Sequence, residues 1–211
     1  MHHETRSGKM QLLETKVIKP KILYYGTPVI LLTTLNEDHT INISPLSSSW
    51  GLGKYIILGV SVEGKALENL QRHPECVINV PHQSLWKNVE KLASFTGKYP
   101  VPAQKHAAGF TFCKDKYKKG DLTPGASNVV KPTRIIECPI QIEAEVKNIH
   151  IPEYDTVFAI VETEMLQFHA HETIIKGENH IDPIKWNPLI YNFRHYFGIG
   201  NELGKTFRSE T

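Results

Sequence analysis

Val29-Ile30-Leu31-Leu32-Thr33-Thr34-Leu35-Asn36-Glu37-Asp38-His39-Thr40-Ile41-Asn42-Ile43-Ser44 is the stretch that decides the fold class of this chain. Its first seven residues are apolar or β-branched, the composition of a strand. Four polar residues follow. From Thr40 the sequence alternates, with Ile41 and Ile43 on one face and Asn42 and Ser44 on the other. Two such runs around a short polar turn read as an antiparallel hairpin. The turn has no glycine, but Asn, Asp and His enter the positive-φ region more readily than most residues. Pro45 is expected to end the second strand, since proline donates no ladder hydrogen bond. A small polar run follows, Leu46-Ser47-Ser48-Ser49-Trp50-Gly51.

Outward from the hairpin the same grammar continues. Tyr55 to Val62 is apolar on both faces and reads as an interior strand, broken at Glu63-Gly64. Lys65 to Arg72 reads as a short helix with Ala66, Leu67 and Leu70 on one face, stopped by His73-Pro74. Cys76 to Val80 is a fourth strand. Leu85, Trp86, Val89, Leu92 and Ala93 recur at helical spacing and predict an amphipathic helix over 83–94. A second short helix is expected over 103–108. Phe110 to Thr133 reads as a surface excursion. Two long strands follow, 135–149 interrupted by Pro139, and 156–175. In the first, Gln141, Glu143, Glu145 and Lys147 alternate with apolar residues, which predicts one wet face. Antiparallel hairpins thus dominate and no second domain boundary is visible. The expected architecture is mainly β, a closed or split antiparallel β-barrel with a few short peripheral helices. Residues 1–24 read as an N-terminal arm and 25–211 as a single domain.

Six of the chain's 19 aromatic residues fall after position 185: Trp186, Tyr191, Phe193, Tyr196, Phe197 and Phe207. So aromatic a segment is expected to pack on the barrel or on another subunit.

Composition excludes several classes. The chain has 211 residues, 24 Lys and Arg against 22 Asp and Glu, and a net charge of +2. That balance is unlike a dedicated nucleic-acid binder and unlike an acidic disordered chain. The basic run Lys114 to Lys119 reads as a solvated loop. The longest apolar runs fall far short of the roughly 20 residues of a membrane span. The start, Met1 to Arg6, has no apolar signal core, and His2 and His3 are too few for a purification tag. Three separated cysteines, Cys76, Cys113 and Cys138, make no disulfide framework, so a cytoplasmic setting is expected. Cys113 can be read as a reactive thiol, but small buried or half-buried residues are the favoured reading for all three.

Two segments can carry chemistry. Asn42-x-Ser44-Pro45-x-Ser47-Ser48-Ser49-Trp50 gathers hydroxyls and free backbone N–H groups in a loop that suits a planar heterocycle or a sugar-phosphate chain. Ser61-Val62-Glu63-Gly64-Lys65 joins a strand to a helix. A phosphate there meets the helix N-terminus, the Lys65 ammonium and the Ser61 hydroxyl. Pattern alone favours an ordinary Ser-rich loop and an ordinary capped helix, because neither a GxGxxG nor a P-loop is present.

A resemblance changes that weighting. Pro28 to Thr34 with Asn42-x-Ser44-Pro45-x-Ser47, then Ser61 to Asn79 with Asn69-Leu70 closing its short helix, resembles the flavin reductase-like family of FMN-binding split barrels. Ile135 to Ala144 looks like the family's strand after its variable excursion. Pro188-Leu189-Ile190-Tyr191 and Tyr196-Phe197-Gly198-Ile199-Gly200 are similar to its C-terminal end. The resemblance spans roughly residues 25 to 207, with all the motifs in order. It implies FMN at the barrel edge, in a homodimer. By position, Asn42, Ser44, Pro45, Ser47, Ser48, Ser49 and Trp50 fall in the flavin-lining segment. Ser61, Val62, Glu63, Gly64 and Lys65 fall around the phosphate, and Asn69 braces the helix. Two departures stand out: the family often has Thr where this chain has Ala66, and a Gly in the first hairpin where this chain has Glu37-Asp38-His39. The Ala66 change leaves open which side chain replaces the missing hydroxyl.

The implied function is an FMN-dependent oxidoreductase of the flavin reductase type. It would pass electrons from NADH, NADPH or another donor to an acceptor. The alternative is a non-catalytic FMN-binding electron carrier, or a regulatory module on the same fold. His169 and His171 lie two apart on an expected strand, where an exposed pair is favoured over a metal site lacking a third ligand. His195 can approach a flavin or pyridine nucleotide, with a structural role weighed equally. Glu162 and Glu164 read as a solvated face, and no nucleophile motif is present.

Overall fold

The computed structural model describes residues 15–206. The readings of the first residues, of His2 and His3, and of Phe207 lie outside them. Ten strands and four helices position the site: β1 (Tyr25–Pro28), β2 (Ile30–Leu35), β3 (Ile41–Leu46), β4 (Ser49–Leu52), β5 (Tyr55–Ser61), α1 (Lys65–Arg72), β6 (Glu75–Val80), α2 (Trp86–Ala93), α3 (Ala103–Ala107), α4 (Lys116–Gly120), β7 (Ile140–His150), β8 (Phe158–Ala170), β9 (Ile190–Asn192) and β10 (His195–Phe197). Short two-residue bridges lie between them.

Seven strands form one antiparallel sheet in the order β3-β2-β6-β7-β8-β5-β4. Its two edge strands, β3 and β4, are consecutive in the chain and separated by Ser47 and Ser48 alone. Two residues cannot cross a flat seven-stranded sheet whose strands lie about 4.8 Å apart. The sheet therefore curls until its edges approach, and the Ser47-Ser48 link marks the split. Gly59 on β5 makes room there: it donates to the Ser48 carbonyl at 2.7 Å, and a Cβ on Gly59 would lie 2.9 Å from the Ser48 Cβ. The expected split barrel is thus the fold.

The first hairpin forms as its sequence predicts. Leu35 pairs with Ile41 and Ile30 with Leu46. His39 takes φ 62° in the turn, and Asp38 accepts from the Thr40 hydroxyl and N–H. All six residues of β2 are buried, because both its faces are covered. Ile30 and Leu32 point into the barrel core with Leu58, Val60, Leu67, Leu70, Ile78 and Val161. Val29 and Leu31 join Ile43, Val89, Leu92, Ile135 and Leu189 in a second core outside the sheet, under α2.

Several expectations are corrected. Pro45 does not end β3; the strand runs through it to Leu46. The Ile43 carbonyl accepts from Lys116, so it points off the free edge. The ladder alternates, so Pro45 two residues on points the same way and needs no N–H. The face of β7 read as wet is buried at Gln141 and Glu143, 4 % and 0 % exposed. The excursion after Phe110 packs over it: the Glu143 carboxylate accepts from the N–H groups of Asn128, Val129 and Val130, and Gln141 accepts from Arg134. The basic run is not a solvated loop throughout, since it forms α4 and buries Lys116. The long strand ends at Ala170, so His171 lies beyond it. The helix over 83–94 starts with a 3-10 turn at Gln83–Leu85 and becomes α at Trp86.

The aromatic tail closes onto the body. β9 pairs with β1 and β10, Leu189 accepts from the Val29 N–H and donates to the Pro81 carbonyl, and Tyr191 and Tyr196 pack on the outer core. Among the described residues no helix is long and apolar enough to cross a membrane.

Candidate functional site

A cavity of about 510 Å³ opens at the split, between the free edge of β3, the Ser47-Ser48 link, the start of α1 and the excursion. Segments far apart in the chain build it. Ser44 to Ser48 form one wall, Gly59 to Ser61 a second and Gly64 to Ala66 an end. Phe95 to Gly97 with Lys105, Phe110 and Lys116 form the lid side, and Tyr24, Tyr191 and Tyr196 the rim. Tyr24 accepts from the Ser48 hydroxyl at 3.0 Å and packs edge-on against Tyr191, ring centroids 5.4 Å apart. Tyr191 and Tyr196 are 5.7 Å apart. Tyr196 donates to Glu90 at 3.0 Å; burial, with that bond, raises its pKa. The rim is therefore a continuous neutral aromatic surface with hydroxyls at its margin.

The α1 end is built to receive acceptors. Gly64 caps the helix in extended conformation and offers no side-chain hydrogen bond, so first-turn N–H groups keep no side-chain partner. Its own N–H bonds the Ser61 carbonyl at 2.9 Å. A Cβ on Gly64 would lie 2.8 Å from that carbonyl, so the close turn requires glycine.

Lys65 faces the cavity with a committed ammonium. It lies 3.0 and 2.9 Å from the two oxygens of Glu37 and 2.5 Å from Glu68. Burial opposes its charge, but the two carboxylates outweigh it and raise its pKa. Lys65 in turn lowers the Glu37 pKa to about 2. The hairpin turn and α1 are tied further by Asn69, which donates to Thr34 and Asn36.

A sequence model of the flavin reductase-like domain matches residues 22–200. The chain belongs to the flavin reductase-like family. It is 66% identical over 196 residues to YdfE of Bacillus subtilis (strain 168), an uncharacterised protein, covering 93% of this chain and 95% of that one. Its fold is similar to flavoredoxin of Desulfovibrio vulgaris (Miyazaki F), with TM-score 0.75 and 19% identity over 94% of this chain and 100% of the other. Flavoredoxin from Methanosarcina acetivorans also gives 0.75, at 17% identity over 93% and 97%. Family membership implies flavin binding.

Within this flavin reductase-like fold, Ser44, Pro45, Ser47, Ser48, Ser61, Gly64 and Lys65 line the one cavity. The other named residues do not. Asn42 lies beside it, in a smaller depression with Glu37, Asp38, Lys65 and Gly97. Its Nδ2 donates to Ser44, while its buried Oδ1 has no partner. Val62 packs on the barrel core. Glu63 follows it in the turn before α1, and Asn69 braces the helix from behind. Ser49 and Trp50 sit on edge strand β4, Trp50 61% exposed. His169 bonds Glu143 at 2.6 Å and His171 the Ile136 carbonyl at 2.9 Å; neither is the exposed strand residue expected. His195 lines a second depression with His82, Trp86, Glu90 and Arg194, adjoining the cavity through Tyr196. Cys76 and Cys138 are buried and Cys113 half-buried.

Sequence reasoning missed Tyr24, Lys105, Lys116 and the Phe95-to-Gly97 turn. Tyr24 fell in the supposed arm. Lys105 fell in the expected short helix and Lys116 in the basic run read as a solvated loop, whose return to the β3 edge leaves no local signal.

Proposed function

We propose that the protein is an FMN-dependent oxidoreductase of the flavin reductase type. One observation carries the reading. At the split of a flavin reductase-like barrel, one cavity joins a Ser-lined sheet edge, a neutral aromatic rim and a helix N-terminus with no side-chain cap. These features match the parts of FMN in order: a planar ring, a polyhydroxyl chain and a phosphate. The Ser47 and Ser48 hydroxyls and the β3 edge would hold the ring and ribityl chain. Tyr24, Tyr191 and Tyr196 would exclude water, and Ser61 and Gly64 with the first turn of α1 would hold the phosphate. When bound, the flavin supplies electron transfer between a reduced pyridine nucleotide, or another donor, and an acceptor. The chain's own groups bind, orient and dry the site, so no side-chain acid, base or nucleophile is needed.

We propose further that the working unit is a homodimer. Trp50 and Leu52 on edge strand β4 are 61% and 74% exposed. Such apolar edge residues favour coverage by a second copy.

The test is the visible spectrum of purified protein with a titration of added FMN, followed by NADH and NADPH oxidation. A flavin spectrum on binding and turnover above free flavin are expected. Binding without turnover reassigns the protein as an electron carrier or regulatory module. Colourless protein that ignores FMN overturns the reading.

A further inference from the structure

Three lysines line the cavity, and their charges are not equivalent. Lys65 is ion-paired with Glu37 and Glu68, carboxylates that also meet Arg72 and Lys98. Among the described residues, neither Lys105 nor Lys116 has a carboxylate within ion-pair distance. Lys116 is 3% exposed, and its Nζ donates to one acceptor, the Ile43 carbonyl at 2.7 Å. An ammonium has three donors, and burying one without a counter-charge is costly. Lys105 lies half-buried on α3, its Nζ 6.0 Å from the Phe110 ring centre. Burial lowers the pKa of each; at Lys116 Cys113 opposes the shift and a weaker repulsion from Lys105 adds to it. Glu63 attracts Lys105 only from beyond ion-pair distance. Two lysines without a paired carboxylate thus face one cavity whose lining holds no Asp or Glu.

We propose that Lys105 and Lys116 are the specificity-determining cations for the ligand's phosphate, while Lys65 serves to hold the hairpin turn against α1. The charge they leave uncompensated matches a phosphate monoester, which carries close to two negative charges at neutral pH. This answers what replaces the hydroxyl absent at Ala66: the charges of Lys105 on α3 and Lys116 on α4, which line the same cavity. The inference rests on the flavin reading for the identity of the ligand. The 2′-phosphate of a pyridine nucleotide has the same chemistry, and the test separates the two.

The experiment titrates wild-type protein and the Lys65→Gln, Lys105→Gln, Lys105→Arg and Lys116→Met variants with FMN, riboflavin and NADP⁺, read by fluorescence. Lys105→Gln and Lys116→Met are expected to shrink the preference for FMN over riboflavin by roughly tenfold each, the size of one charge-assisted contact. Lys105→Arg keeps the preference, and Lys65→Gln weakens both flavins alike. An unchanged preference in both Lys105→Gln and Lys116→Met overturns the proposal, as does a loss confined to Lys65→Gln. Weakened NADP⁺ with intact FMN preference reassigns the cations to the pyridine nucleotide and overturns it too. If wild-type protein binds neither flavin, the flavin reading fails by itself. Inorganic phosphate then decides the anion site: thermal stabilisation of wild type, lost in Lys105→Gln, supports it, and no stabilisation overturns it.

Discussion

Lys116 shows how much one buried side chain can report. Burial lowers its pKa to about 8 from an ordinary 10.5. The unfolded chain therefore holds more protons between those values, and the ligand-free fold gains stability as pH rises through that window. Urea unfolding at intervals from pH 7 to 10 should show wild type gaining on Lys116→Met by on the order of 3 kcal/mol. A constant difference between the two would contradict a buried ammonium. FMN affinity should move the other way and fall above about pH 8, as the cation that meets the phosphate discharges. Gly97 makes a steric prediction at the same scale. A Cβ there would overlap the unpartnered Oδ1 of Asn42 and crowd the Lys65 side chain. Gly97→Ala should cost about 1–3 kcal/mol. Pairing it with Asn42→Ala should recover part of that loss, as a double-mutant cycle of unfolding free energies would measure.

Among the elements, the outer face of the sheet carries the least expected result. Thr33, Asn79, Gln141 and Glu143 lie side by side on β2, β6 and β7 and are all buried. Each finds its partner in the excursion or in the two residues that follow it: Thr33 donates to the Thr133 carbonyl, Asn79 accepts from the Ile135 N–H, Gln141 accepts from Arg134, and Glu143 holds three N–H groups. This polar stripe fastens the excursion, and the excursion in turn carries Lys116 to the free edge of β3. Burial raises the Glu143 pKa, but the N–H groups of Asn128 and Val129 with His169 outweigh it and lower the pKa overall. The stability it supplies is present above the ordinary Glu value of about 4.3 and drains away as pH falls below it. Glu143→Gln should cost about 3 kcal/mol at neutral pH. It should also flatten the acid limb of a melting-temperature series from pH 3 to 7. An acid limb as steep as wild type's would assign that loss to other carboxylates.

The molecule as a whole is organised by one topological fact: the two edges of a seven-stranded sheet are joined by Ser47 and Ser48. Curling the sheet creates the split, and the split creates the site. The tail then rims it, since β9 and β10 bring Tyr191 and Tyr196 to the mouth. The exposed Trp50 and Leu52 lie on the same edge system, which links the proposed dimer to the site. Sedimentation should show a dimer for wild type, and Trp50→Glu should shift it toward monomer and weaken FMN. A wild-type monomer at micromolar concentration would remove the second copy from the functional picture.

The family came from a resemblance of motifs in order; local pattern alone determined the hairpin over 29–44, the apolar faces of α1 and α2 and the strand series. Those are properties of residues within a turn or two of one another, and the 2.0 and 3.6 periods record them directly. Of the residues singled out in the sequence, Ser44, Pro45, Ser47, Ser48, Ser61, Gly64 and Lys65 line one cavity, while Asn42, Ser49, Trp50, Val62, Glu63 and Asn69 do not. Tertiary structure decided which charges at the site are free. Lys65 resembles a phosphate ligand in sequence, yet it is held by Glu37, 28 positions away. Lys116 resembles a surface lysine, yet it is buried against Ile43, 73 positions away. Glu143 sits in an alternating pattern that signals solvent, yet the excursion covers it. The physical reason is the same each time. Whether a polar group is wet, paired or buried depends on which distant segment packs over it, and no local period encodes that partner.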